Sequence, residues 1–143
     1  MQCHTKALLC LGLSCLFAAA AGCGNEKIYP VEGRVVFADG TPATELAGGL
    51  VIFASEEAKG SSRGAIQADG TFRLSTIATG DGAYLGKNRI SVSGPRKIVG
   101  VKQPASILLD PKYADPETSG LEYTVVAGQN KDVEVMIERK KGP

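Results

Sequence analysis

Cys23 is the residue whose surroundings single it out for chemistry. An uncharged apolar run, Ala7 to Ala21, ends in Ala20-Ala21-Gly22 directly before it, and the chain turns polar after it. Lys6 is the only charge ahead of the run. A short basic start, an apolar stretch and small residues at its end are the layout of a secretory signal peptide. As a helix the run would reach about 22 Å at ~1.5 Å per residue, short of a hydrocarbon core of ~30 Å. Residues 1–22 are therefore expected to be an export signal, and a cut directly before Cys23 would make that residue the first of the mature chain. An ordinary signal-peptidase cut near Ala19 to Ala21 is the alternative, and it would leave Cys23 as a free thiol near the new terminus.

Removal of that segment changes what the rest of the chain can do. Cys3, Cys10, Cys15 and the only histidine, His4, go with it. What remains holds one cysteine at its first position, so no internal disulfide forms despite export. Without His or an internal Cys it cannot build a Ser-His or Cys-His nucleophile pair or a His/Cys zinc site. No cofactor and no metal are expected, and the function reads as non-enzymatic. Charge excludes another class. The chain has 16 Lys+Arg against 15 Asp+Glu, and losing Lys6 makes the two equal. A nucleic-acid surface is not expected.

The second group with chemical potential lies in 94–120, the longest stretch without strand pattern, which contains Pro95, Pro104, Pro111 and Pro116. Loops this long in a compact domain are usually functional or disordered. Asp110, Lys112, Tyr113, Asp115 and Glu117 gather there, and Lys112, Tyr113 and Asp115 form the candidate ligand patch. The competing reading makes Asp110-Pro111 and Asp115-Pro116 turn starters, with the Tyr113 ring packed on the domain. The pairs Asp39-Gly40, Asp69-Gly70 and Asp81-Gly82 lack the alternating oxygen ligands and distal Glu of a calcium loop, and are read as turns.

The elements that must position these groups are strands. Val31, Gly33, Val35 and Phe37 alternate with Glu32, Arg34 and Val36, and the run ends at Asp39-Gly40-Thr41-Pro42. Leu50–Ala54 is a short apolar run. Ser62–Gln67 and Thr71–Ser75 flank Asp69-Gly70, which signals a tight hairpin. Lys87–Ser93, Leu121–Val126 and Asp132–Glu138 complete the set. With 18 Gly, 7 Pro and no sustained helical period, the fold class is all-β. Seven short strands with closely spaced turns predict a single seven-stranded β-sandwich over 29–139, behind a short tether, 23–28.

Two resemblances follow from these residues. Ala20-Ala21-Gly22-Cys23 resembles the lipobox of bacterial lipoproteins, which implies cleavage before Cys23 and a diacylglyceryl group on its sulfur. Gly24 rather than an acidic residue follows the cysteine, which by the same resemblance implies the outer membrane where there is one. Two or three acyl chains hold a protein firmly, so lipid rather than charge would do the localising. The body, through Val31–Pro42, Leu50–Phe53, Ala68–Leu74 and Gly86–Val92, resembles the carboxypeptidase regulatory-like module, a transthyretin-like, Ig-type sandwich without peptidase residues of its own. The segment from Pro111 to Pro116, with Ser119-Gly120-Leu121 and Gly128-Gln129-Asn130, is similar to the tail of small secreted lipoproteins of that architecture. The expected product is an exported, membrane-anchored binding or structural module of the cell envelope, facing the periplasm and touching an unidentified envelope partner. Two alternatives stay open. One is an envelope hydrolase using carboxylates of 94–120; the other is an accessory subunit that lends an edge strand to a complex.

Overall fold

A computed structural model of the chain describes residues 26–96 and 109–140. The expected signal segment 1–22, the cut at Gly22-Cys23, Cys23 itself and the middle of the 94–120 segment lie outside the described residues.

The described chain is mostly β-structure with only two single-turn 3-10 segments, Thr44–Leu46 and Pro111–Ala114. Its strands are β1 (Ile28–Tyr29), β2 (Val31–Phe37), β3 (Leu50–Ser55), β4 (Ser61–Ala65), β5 (Thr71–Arg73), β6 (Ala83–Tyr84), β7 (Gly86–Ser93), β8 (Leu121–Val125) and β9 (Asn130–Ile137). Each of the seven strands expected from sequence has a counterpart here. The two-residue strands β1 and β6 are additional, and too short to carry a period of two.

Three sheets result, ordered β5-β2-β9, β4-β3-β7-β8 and β1-β6. All neighbours run antiparallel except β2 and β9, which are parallel over Val35↔Val135 and Phe37↔Ile137. Lettered A to G in chain order, the seven longer strands divide as D-A-G and C-B-E-F. An immunoglobulin constant domain divides its strands as A-B-E-D and C-F-G, so the partition here is a different one.

The expected hairpin across Asp69-Gly70 is not a two-stranded ladder. Its turn closes as anticipated, with Gly70 N–H donating to Gln67 O at 3.0 Å and Gln67 N–H to Thr71 O at 2.8 Å. Beyond the turn, β4 joins β3 and β5 joins β2, leaving only a bridge between Arg63 and Ser75. The turn is thus a corner where the chain changes sheet. Gly64 permits the approach, because a Cβ there would stand 2.5 Å from the carbonyl oxygen of Arg73. The Ala127–Asn130 turn acts likewise, carrying the chain from β8 in the four-stranded sheet to β9 in the other.

The two larger sheets contribute to one hydrophobic core. Val31 and Val35 of β2, Val51 and Phe53 of β3, Val92 of β7 and Val135 of β9 are all fully or almost fully buried. The Phe53 ring spans the layers, its centroid 6.2 Å from that of Phe72 and 6.1 Å from that of Tyr123. Tilted rings at these separations add about 0.5–1.5 kcal/mol per pair beyond their area. Side chains at alternate positions leave the core, and on β2 and β5 these are Glu32, Arg34, Thr71 and Arg73.

Candidate functional site

The patch named from sequence resolves into separate structural tasks. The Asp110 carboxylate accepts the Lys112 N–H at 3.0 Å and starts the Pro111–Ala114 turn. Asp115 does the same for Glu117 N–H at 2.8 Å. Tyr113 is 3% exposed, its ring in the core, and its phenol oxygen accepts the Glu138 N–H at 3.1 Å. The exposed Lys112 ammonium stands 4.8 Å from the Tyr113 ring centroid and 3.7 Å from Glu138. The adjacent Tyr113, then Glu138 and Asp110, hold its pKa above the ordinary lysine value. Ser119 re-enters the sheet by donating its hydroxyl to Ile90 O, and Leu121 N–H donates to the same hydroxyl at 3.1 Å.

A different surface has the geometry of a site. On the outer face of the β5-β2-β9 sheet an open concavity of about 820 Å³ is bordered by Glu32, Arg34, Gln67, Arg73, Lys131 and Asp132. Gly33, Ala65, Thr71 and Phe72 complete its lining. Its shape comes from an irregularity between β2 and β9. Val31 pairs with Asn130 but Gly33 pairs with Val133, so β9 spends one more residue than β2 over the same length. Such a bulge bends the strand and re-aims its side chains. Asp132 absorbs the extra residue at φ +57°, a left-handed conformation that Asp tolerates better than most. Gly33 is required opposite, since a Cβ would lie 2.1 Å from Val133 O.

The charges around the concavity come in both signs. Arg34 Nε donates to Glu134 at 3.0 Å and Arg73 lies 3.4 Å from Glu32. These pairs are exposed, so each contributes only about 0–1 kcal/mol and yields readily to a competing ligand. Thr71 is not poised as a nucleophile. Its hydroxyl donates to Asp69 at 2.6 Å, and with the Thr71 backbone N–H it holds that carboxyl below the ordinary Asp value. The arrangement suits recognition by guanidinium donors and carboxylate acceptors over a partly apolar floor. The outward alternation of Glu32 with Arg34 and of Thr71 with Arg73 was the sequence signal for it. Neither alternation announces that the two strands are neighbours.

A second concavity, about 550 Å³, lies against β3 and β7 near Ser55, Glu57, Lys59 and Glu117. Arg89 engages two of its carboxylates. Arg89 Nε donates to Glu56 at 2.8 Å while its Nη1 pairs with Glu117, and Lys87 lies 2.9 Å from Glu122. Glu56 raises the Arg89 pKa and Glu122 that of Lys87. Among the described residues no group of three or more His, Cys, Asp or Glu side chains is arranged to hold a metal ion. Comparison with protein-family models, with curated proteins and with solved structures finds no match to this chain.

Proposed function

We propose that this chain is a lipid-anchored, non-enzymatic binding module of the cell envelope, built as a transthyretin-like sandwich of the carboxypeptidase regulatory-like kind. The shared core of the two larger sheets supports the sandwich reading. The border at Gly22-Cys23 supports the anchor, and the equal balance of charge leaves attachment to the lipid.

The concavity at the β2–β9 bulge carries the binding reading. Its volume falls in the ~300–1,000 Å³ range of ligand sites. It is formed by sheet strands rather than a loose loop, and its rim pairs are weak enough to be exchanged. A ligand presenting both acceptors and donors, such as an extended polar segment of an envelope protein, matches the guanidinium donors of Arg34 and Arg73 and the carboxylate acceptors of Glu32 and Asp132.

Photo-crosslinking in intact cells tests this. A photoreactive residue replacing Lys131, which lines the concavity, should give a discrete adduct, whereas one replacing Thr124, on the outer face of the other sheet, should not. Equal labelling at both positions, or none at position 131, would sink the assignment. Cys23→Ser should in parallel release the chain from membranes. Unchanged retention would point instead to an uncleaved apolar anchor.

A further inference from the structure

Among the described residues four large apolar side chains are exposed, and three of them lie in connections at one end of the domain. These are Ile77 (84% exposed), Leu85 (36%) and Val126 (54%). The pairings fix that end. Glu32 at the start of β2 pairs with Arg73 at the close of β5, so the 74–82 connection emerges there. Gly86 pairs with Val125, which makes Leu85 and Val126 the next neighbours in register. Asn130 N–H donates to Pro30 O at 3.0 Å, closing the 126–129 turn on the same end. The fourth, Met136 (52%), sits on β9 opposite Val36, toward the other end.

The chain also enters at this end. Ile28 pairs with Tyr84 and Tyr29 with Ala83, and Leu85 N–H donates to Lys27 O at 2.8 Å. Cys23 precedes Lys27 by four residues, a reach of at most about 14 Å. The Ile77 loop is held outward. The Asp81 carboxylate accepts the N–H groups of Thr76, Ile77 and Ala78 at 2.7, 3.0 and 2.9 Å. Gly80 N–H donates to the Ser75 hydroxyl at 2.8 Å, closing the loop base. Ile77 is thereby presented from a braced support.

We infer that Ile77, Leu85 and Val126 form a lipid-docking face that seats this end of the domain in the membrane interface. The inference rests on the proposed acylation of Cys23, which would bring these side chains to the headgroups. The contact is apolar: amphipathic surfaces that bury about 5–10 Å into the interface draw on apolar area, with attraction to anionic lipid as a separate contribution. With basic and acidic groups balanced in the processed chain, docking should resist salt.

The sequence has no Trp, so one introduced Trp reports on one place. Full-length chain acylated in cells, carrying Ile77→Trp, Val126→Trp or Met136→Trp, is reconstituted into phosphatidylethanolamine–phosphatidylglycerol vesicles with or without brominated acyl chains. Bromolipid should quench Trp at 77 and 126 at least about twofold more than at 136, as burial at the interface requires, and 0.5 M salt should not change this (about a 4 Å Debye length). Equal quenching at all three positions, or none at 77 and 126 in acylated and floating protein, overturns the docking face and leaves the anchor standing. Loss of both the acyl mass on Cys23 and vesicle flotation overturns the anchor and the docking face together. A blue shift at 77 that bromolipid does not quench marks contact with a second copy of the chain there and overturns the lipid assignment.

Discussion

The phenol oxygen of Tyr113 accepts the backbone N–H of Glu138 at 3.1 Å, fastening the 109–120 segment to the end of β9. The bond joins residues far apart in sequence and lets a buried tyrosine keep its polar tip satisfied. Tyr113→Phe should lower unfolding free energy by about 0.5–1.5 kcal/mol, the usual net worth of such a bond. Tyr113→Ala should cost about 3–5 kcal/mol by leaving a cavity. Urea denaturation reads both. A ligand-contacting Tyr113 would behave otherwise, with the Phe variant losing binding at an unchanged midpoint.

Gly33→Ala tests the bulge that shapes the concavity. The added methyl would lie 2.1 Å from Val133 O, a backbone atom that cannot swing aside. The expected cost is about 1–3 kcal/mol, as for overpacked sites, with loss of crosslinking at position 131. Unchanged stability would mean that the β2–β9 register differs from the one described.

Acid should destabilise the domain through a definite set of carboxyls. Side-chain and backbone donation from Thr41 lowers the Asp39 pKa, Thr71 does so for Asp69, and Arg139 does so for Glu45. For Asp81 burial pushes the value up, but the N–H groups of Ala78, Thr76 and Ile77 outweigh it and the net shift is downward. A carboxyl whose folded pKa lies below its unfolded value stabilises the fold above the unfolded value. That contribution is lost as pH falls through the folded value. The melting temperature should therefore be flat above the ordinary values of 3.8 for Asp and 4.5 for Glu, then drop below them. Asp81→Asn should remove part of the drop and, by weakening three charge-assisted bonds, cost about 1.5–3 kcal/mol at neutral pH. An acid limb identical to that of the parent would rule out the Asp81 brace.

How far these features could be read in the chain depends on their range. The alternation of Val133, Val135 and Ile137, or of Val31, Val35 and Phe37, is local, and it placed the strands within a few residues. Which strands pair is not local. Asp69-Gly70 carries the chemistry of a tight turn, yet beyond it β4 pairs with β3 and β5 with β2, partners that lie outside the turn's own sequence. The parallel β2–β9 pairing joins the two ends of the domain, and nothing near either strand encodes it. The same holds for the concavity, whose rim comes from three separated segments. In 109–120 the turn chemistry of Asp110-Pro111 and Asp115-Pro116 was legible, but not the engagement of Tyr113 with β9.

The last prediction separates the concavity's floor from its rim. Phe53 is fully buried, and its ring lies 6.2 Å from Phe72, which lines the concavity. Phe53→Leu removes the tilted ring contacts with Phe72 and Tyr123 and leaves unfilled volume. It should cost about 1–2 kcal/mol in chemical denaturation, below the 3–5 kcal/mol of truncation to Ala. Because Phe72 loses its backing, crosslinking from the concavity should weaken in step with stability. Arg34→Ala acts only at the rim: it breaks an exposed pair with Glu134 and should change the midpoint by less than about 0.5 kcal/mol. Crosslinking at position 131 should nevertheless fall, since a guanidinium donor is lost. If Arg34→Ala leaves adduct yield unchanged while Phe53→Leu reduces it, the surface acts through its shape alone and the charged rim takes no part in recognition.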